Sequence, residues 1–106
     1  MTRFTVYVTP NALEEVKELP GNVRQRVKRV VHELAENAAP SNSKSLDLSD
    51  IAPELGLEKK LRRIRLDRWR IVYSISESEK IIDVLAIRKR PPYDYGDLGK
   101  LLEEIK

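Results

Sequence analysis

The sequence predicts an α+β domain in which a helical hairpin packs on one face of a small, mostly antiparallel four-stranded sheet. Residues 3–8 alternate between apolar and polar side chains, residues 10–38 carry apolar side chains at helical spacing, and residues 61–87 contain three further strand patterns. The predicted order is β-α-α-β-β-β with a short C-terminal helix. Two helices on one face of a sheet bury both apolar surfaces, so we expect the other face to be open. Residues 1–106 are expected to form a single domain.

The N-terminal half begins with a strand and continues into the two helices. Thr9 followed by Pro10 is typical of a helix N-terminus, because threonine caps free N–H groups and proline suits the first helical position. Pro20 and Gly21 then end this helix and turn the chain. The second helix is predicted from apolar residues at helical spacing, namely Val23, Val27, Val30, Val31, Leu34 and Ala38. Residues 39–45 are small and polar and are predicted to form a loop.

Three strands are predicted in the C-terminal half, over residues 61–66, 69–76 and 81–87. The last of them is largely apolar, which is typical of a strand buried inside a sheet. Two prolines at 91 and 92 end the sheet. A short amphipathic helix is then indicated by Leu98, Leu101, Leu102 and Ile105.

The composition excludes several classes of protein and site. Hydrophobic residues make up 41% of the chain, which is enough for a core, so a disordered chain is not expected. The absence of cysteine excludes disulfides and thiolate metal sites. No apolar run is long enough for a signal peptide or a membrane span, and no glycine-rich phosphate loop is present. We therefore expect a cytoplasmic protein that uses no cofactor and no metal.

Positive charge is concentrated in the segment LRRIRLDRWRIVY, residues 61–73, which contains five arginines. Between residues 58 and 70, two acids stand against seven lysines and arginines. The formal net charge of the whole chain is only +3, so this imbalance is local. Because clustered charge creates a field and dispersed charge does not, the segment is the first candidate for a functional surface.

Strand alternation assigns these arginines to faces of the sheet. Arg63 and Arg65 are two residues apart and share a face, whereas Arg62 lies on the opposite face. If the apolar residues of the next strand face the helices, Arg70 faces the open side. Antiparallel pairing of consecutive strands then brings Arg90, which follows the last strand, toward the same end of the sheet.

Such a patch costs stability by self-repulsion unless it binds a polyanion. Arginine presents planar donors that match phosphate oxygens, and Tyr93 and Tyr95 offer rings that stack on bases. We therefore expect a nucleic acid, RNA in particular, as the partner. Further cations expected to contact RNA are Lys59, Lys60, Arg62, Arg68, Arg88 and Lys89. The alternative is an ordinary charged surface that keeps strand edges from aggregating.

The ordered set RIRLDRWRIVYSIS, VLAIRKR and a following tyrosine, placed after a strand and a helical hairpin, resembles the RelE/ParE toxin superfamily. The resemblance covers nearly the whole chain in element order. It implies a toxin of a type II toxin–antitoxin pair, held by a cognate antitoxin. RelE-like members cleave mRNA in the ribosomal A site without a metal, whereas ParE-like members inhibit DNA gyrase.

The resemblance also implies which residues form the site. RelE-like basic residues fall on Arg63 and Arg65, on Arg70 in the strand pattern R-x-x-Y, and on Arg90 after the last strand. A catalytic tyrosine falls on Tyr93 or Tyr95. This chain departs from well-known members in carrying arginines where the first pair is often lysine.

The implied reaction is attack of an RNA 2′-hydroxyl on the adjacent phosphate, which leaves a 2′,3′-cyclic or 3′-phosphate and a 5′-hydroxyl. Arg70 and Arg90 suit the developing charge. Arginine is a poor general base, because its ordinary pKa lies above about 12. The base is therefore a perturbed Arg63 or Arg65, a tyrosine, or a lysine at 59 or 60, or proton transfer contributes little.

Three functions stay open on the sequence. The first is a ribosome-dependent mRNA endonuclease, the second a gyrase inhibitor without nuclease activity, and the third a simple RNA-binding module. The expected partners are the antitoxin, mRNA and the ribosome. The C-terminal helix either closes the core or is contacted and displaced by an acidic, partly disordered antitoxin.

Overall fold

The computed structural model describes residues 3–46, 59–90 and 96–102. The strands are β1 Thr5–Val8, β2 Ser43–Leu46, β3 Lys59–Leu66, β4 Trp69–Ser76 and β5 Ile81–Lys89. The helices are α1 Pro10–Lys17, α2 Gly21–Leu34 and α3 Leu98–Leu102. The strands form one sheet in the order β1-β5-β4-β3-β2. Of these described strands, β1 and β5 pair in parallel and the other neighbours pair antiparallel.

The predicted α+β class and the helical hairpin are confirmed, but the strand count of four is wrong. The additional strand is β2, which includes residues 43–45 of the predicted loop. Among the described strands, β2 lies at the edge of the sheet and pairs with β3 alone. Its sequence SKSL is mostly polar, so no apolar alternation marks it as a strand. Whether residues 1–106 form a single domain stays a prediction.

The start of α1 confirms the predicted cap. The Thr9 side chain accepts a hydrogen bond from the Ala12 backbone N–H at 3.2 Å, and Pro10 occupies the first turn. This bond satisfies one of the N–H groups that a helix start leaves without a partner. None of the helices in the described parts of the chain is long and apolar enough to cross a membrane.

The hairpin of α1 and α2 packs on one face of the sheet, which we call the hairpin face. Its buried core consists of Ala12, Leu19, Val27, Leu34, Ile64, Leu66, Ile71, Tyr73, Ile75, Ile82, Val84 and Ile87. Phe4, Val6 and Trp69 are partly buried against it. Side chains at every second position of β3 and β4 reach this core, as strand geometry requires.

The opposite face, which we call the α3 face, is not open along its whole length. There Leu101 and Leu102 of α3 form a second buried cluster with Leu61, Val72, Leu85 and Ala86. The prediction of an open face is therefore wrong for the part of this face that α3 covers. The helix closes a core, as one of the two sequence interpretations proposed.

A β-bulge in β5 decides which side chains of its second half reach each face. β4 and β5 pair as Val72 with Ala86 and Tyr73 with Val84, so Leu85 is an extra residue. Leu85 and Ala86 consequently both belong to the α3-face cluster, and Ile87 returns to the hairpin core. Since a bulge shifts the alternation by one residue, it also moves Arg88 onto the α3 face.

Candidate nucleic-acid interface

Three arginines form a row across the α3 face. Arg70 of β4 lies opposite Arg65 of β3 on one side and opposite Arg88 of β5 on the other. Directly opposed residues in antiparallel strands have Cα atoms about 4.5–5.5 Å apart. Like charges directly opposite each other destabilise a sheet, so the cross-strand contacts within this row lower the stability of the fold.

The next row along the same face adds two cations. Arg63 lies opposite Lys44 of β2 and opposite Val72 of β4. Lys44 is exposed and Arg63 is half-buried. Sequence reasoning missed Lys44, because it falls in the segment that was predicted to be a loop. The only signal in the sequence is the short alternation of serine with lysine and leucine in SKSL.

We call Arg63, Arg65, Arg70 and Lys44 the basic patch. The structure thus brings together three of the predicted catalytic arginines on one face and adds a lysine. Among the residues that the structure describes, none of these four side chains forms an ion pair with an acid. The patch therefore presents positive charge that the protein does not neutralise within its described parts.

The side chain of Arg70 is held by the turn between β3 and β4. Its Nη1 donates to the backbone carbonyl oxygen of Asp67 at 2.9 Å and to that of Trp69 at 3.0 Å. Asp67 occupies the left-handed region at φ 56°. The Arg26 guanidinium of α2 donates to the Asp67 carboxylate at 2.6 Å, and this hydrogen bond and charge lower the pKa of Asp67. The turn is thereby tied to the hairpin, which fixes the backbone that orients Arg70.

Arg90 lies at the same end of the sheet as the arginine row, as the sequence predicted. Its backbone N–H donates to the carbonyl oxygen of Arg68 at 2.8 Å, which adds one hydrogen bond just beyond the paired residues of β4 and β5. The side chains of Arg90 and Arg68 are both exposed. Tyr93 and Tyr95 lie outside the described residues.

Arg88 is the arginine of the row that forms ion pairs within the described part of the protein. Its guanidinium pairs with Glu15 of α1 and with Asp97, which directly precedes α3. The three side chains are only 24%, 23% and 33% exposed, respectively. Burial alone would lower the pKa of Arg88, but the two carboxylates outweigh it and raise the pKa. These two ion pairs indicate a structural role for Arg88. The RNA contact at Arg88 stays a prediction, and it would require the ion pairs to break.

The carboxylate of Glu15 also covers a strand edge. β1 pairs with β5 only as far as Val84, so β5 has a free edge beyond it. There Glu15 accepts from the Ile87 backbone N–H at 3.1 Å, and Asn11 donates to the Leu85 carbonyl at 3.1 Å. Side chains of α1 thus replace the missing strand, which protects this edge from pairing with another chain.

The other cations that the sequence assigned to RNA are spread over both faces. Register places Lys60 opposite Ile75 and Lys89 opposite Trp69, so both lie on the hairpin face. Arg62 also lies there and donates to the Ser43 hydroxyl at 2.9 Å. Lys59 stands opposite Ser76, at the far end of β3 from Arg70. The structure therefore does not gather these residues into the basic patch.

The patch can bind and polarise a phosphodiester. Arginine guanidinium groups form paired hydrogen bonds with phosphate oxygens, and a row of them spreads the charge of a pentacoordinate phosphate. Within residues 3–46, 59–90 and 96–102, no group of three or more His, Asp or Glu side chains is arranged to hold a metal ion. A reaction without a metal stays a prediction.

Comparison with known families and structures identifies similar proteins. The sequence profile described as "ParE toxin of type II toxin-antitoxin system, parDE" matches residues 6–91. No curated protein sequence matches the chain significantly. The match extends from within β1 to just beyond the end of β5 and so includes the arginines of the basic patch.

Solved structures of RelE proteins share the fold. The RelE–RelB complex of Pyrococcus horikoshii matches with a TM-score of 0.70 and 22% identity, over 88% of this chain and 100% of that chain. The RelBE2 complex of Mycobacterium tuberculosis matches with a TM-score of 0.64 and 20% identity, over 83% and 99%. The isolated RelE toxin of E. coli matches with a TM-score of 0.60 and 19% identity, over 98% and 99%. At these identities the likeness establishes the fold alone.

Proposed function

The chain belongs to the RelE/ParE superfamily of type II toxins, and from that membership we propose that it inhibits translation by cutting mRNA in the ribosomal A site. The reaction is a metal-independent endonucleolytic cleavage in the cytoplasm. The cognate antitoxin is the partner that neutralises it. RelE–RelB complexes are among the solved structures that share the fold.

The observation that carries the proposal is the pair formed by Arg65 and Arg70. They lie directly opposite each other on the α3 face, and neither has an acidic partner within the described residues. A bound phosphodiester would replace repulsion between two guanidinium groups by attraction to a shared anion.

In the proposed reaction the 2′-hydroxyl of one nucleotide attacks the phosphorus that follows it. Arg65 and Arg70 bind the two non-bridging oxygens, whose negative charge grows in the transition state. Arg90, at the same end of the sheet, binds the neighbouring phosphate. Because the Arg70 side chain is held by the turn at Asp67, it needs little reorganisation during the reaction.

The antitoxin is expected to present acidic side chains to the basic patch. Arg63, Arg65, Arg70 and Lys44 concentrate four positive charges on one face, and an acidic segment would associate rapidly with it. Covering this face would exclude mRNA, which explains neutralisation by competition.

The test is primer extension on a defined message in a cell-free translation reaction. We expect the wild-type protein to cut within the A-site codon only while ribosomes translate. Arg70→Ala should reduce the rate by about 10²-fold or more, because it removes a donor to the transition-state charge. Lys28→Ala, an exposed change on α2, is the matched control and should cut like wild type. Equal cutting by all three proteins would contradict the role of Arg70.

A second candidate function is inhibition of DNA gyrase. It is favoured by the profile match, which is to ParE toxins. An intact message in the translation reaction, together with inhibition of supercoiling by purified gyrase, would establish this alternative in place of RNA cleavage.

A further inference from the structure

The cleavage proposed above needs a proton that the arginines of the basic patch do not supply. When the bond between phosphorus and the 5′-oxygen breaks, the departing oxygen carries negative charge and must be protonated. An arginine side chain keeps its proton up to about pH 12, whereas a lysine side chain ordinarily releases its proton at about pH 10.4. A lysine beside these arginines would therefore be the better proton donor.

The sheet register decides which strand lysine lies there. Lys60 and Lys89 are on the hairpin face, behind the sheet as seen from the arginines. Lys59 pairs with Ser76, six residues along β4 from Arg70. Six strand residues span about 20 Å, which is beyond the reach of one side chain. Of the lysines in described strands, these three are therefore poorly placed.

Lys44 is placed differently. It lies opposite Arg63, on the α3 face and one row from the pair of Arg65 and Arg70. Among the described strands, β2 lies at the edge of the sheet, so the exposed Lys44 side chain borders the arginines of the basic patch. Its ammonium group forms no ion pair with an acid among the described residues.

The sheet holds Lys44 in this position through its neighbours. The Ser43 backbone N–H donates to the Pro40 carbonyl at 2.9 Å, and the Ser43 hydroxyl accepts from Arg62 at 2.9 Å. The Arg65 backbone N–H donates to the Asn42 carbonyl at 3.2 Å. These bonds fix the start of β2 against β3, so Lys44 and Arg63 keep their register.

We propose that Lys44 is a catalytic residue that protonates the departing 5′-oxygen, an assignment that rests on the proposed nuclease function. The 2′-oxygen forms its bond to phosphorus and gives its proton to water. The bond between phosphorus and the 5′-oxygen breaks, and its electron pair takes a proton from the Lys44 ammonium. Water then returns a proton to the Lys44 amine, so the products are a 2′,3′-cyclic phosphate and a 5′-hydroxyl, with no net change in protons.

The experiment compares two messages on translating ribosomes. One is ordinary RNA, and the other carries sulfur in place of the 5′-oxygen at the A-site phosphate. A thiolate departs without protonation, so the sulfur message does not need an acid. The proteins are wild type, Lys44→Met, Lys44→Arg and the control Lys28→Met, which removes an exposed lysine from α2. Circular dichroism and urea unfolding confirm that each variant folds.

We expect Lys44→Met to cut the ordinary message about 10²- to 10⁴-fold more slowly than wild type, the range typical of a lost proton donor. It should cut the sulfur message at nearly the wild-type rate. Lys44→Arg keeps the charge but should stay slow on the ordinary message, and Lys28→Met should match wild type on both.

Three results would overturn the assignment. The first is that Lys44→Met cuts the ordinary message at the wild-type rate. The second is that Lys44→Met is slowed equally on both messages. The third is that Lys44→Arg cuts the ordinary message at the wild-type rate, which would leave only a role for the charge. A wild-type protein that cuts neither message would instead overturn the proposed function, and the role of Lys44 with it.

Discussion

Tyr73 combines a fully buried ring with a hydrogen bond from its hydroxyl group. Its ring is completely buried in the hairpin core, and its hydroxyl donates to the Ala38 carbonyl at 2.7 Å. Burial raises the pKa of Tyr73 above its ordinary value of 10.0, although Ser43 and Arg62 nearby oppose the shift. The residue thus ties the chain after α2 to the centre of the sheet.

Tyr73→Phe should lower the free energy of unfolding by about 1 kcal/mol at neutral pH, since it leaves a carbonyl oxygen without its donor. Urea unfolding followed by circular dichroism measures this change. Tyr7→Phe, at a tyrosine that is 54% exposed, is the matched control and should leave stability unchanged.

A comparison of wild type with Tyr73→Phe also tests the pKa of Tyr73. Because its pKa is raised in the folded state, its contribution to stability is complete below about pH 10 and falls as pH rises toward the folded value. Wild type should therefore lose stability above about pH 10 more steeply than Tyr73→Phe. Parallel curves for the two proteins would show that Tyr73 ionises equally in both states.

At the scale of elements, Arg88 joins three parts of the fold. Its guanidinium on β5 connects Glu15 of α1 with Asp97 at the start of α3. The position depends on the bulge at Leu85, because unbroken alternation would have sent Arg88 to the hairpin face. A local irregularity in one strand therefore sets how two helices are fastened to the sheet.

Arg88→Met should lower the free energy of unfolding by about 2 kcal/mol, because two partly buried carboxylates lose their charged donor. Amide hydrogen exchange should also accelerate in α3 more than in β4, since α3 loses its attachment at Asp97. Lys89→Met, at the exposed neighbouring position, is the control. Unchanged exchange in α3 would mean that Leu101 and Leu102 hold this helix without the ion pair.

At the scale of the whole molecule, the distribution of charge matters more than its sum. A net charge of +3 is modest, yet the basic patch on the α3 face carries four cations without acidic partners among the described residues. RNA bound there would release condensed counterions, so its affinity should fall steeply with salt.

Arg65→Gln should weaken binding to a single-stranded RNA and reduce the slope of log affinity against log salt concentration by about 0.7, the value for one phosphate contact. Fluorescence anisotropy across a series of salt concentrations measures the slope. Lys28→Gln on α2 removes the same charge from a surface away from the patch and should leave the slope unchanged. Equal slopes for Arg65→Gln and wild type would place the RNA elsewhere.

Local patterns were sufficient for most elements of the fold. The cap at Thr9, the two helices, β4 and the apolar strand β5 follow from spacings within a few residues, and the structure confirms them. The bounds of the second helix differ from the prediction, because α2 already begins at Gly21 and ends at Leu34, before Ala38. β2 could not be predicted in this way, because a polar edge strand is specified by its partner β3 and not by its own sequence. The end of β5 was placed early, at residue 87 in place of 89.

The sequence alone established the α+β class, the concentration of arginine in residues 61–73 and the shared face of Arg63 and Arg65, because these depend on composition and on local periodicity. It could not show that Lys44 stands beside Arg63 or that Arg88 is held by Glu15 and Asp97. Those relations join residues distant in the chain, and they arise from strand register, a single bulge and helix packing. Contacts of that kind form only when the whole chain is folded.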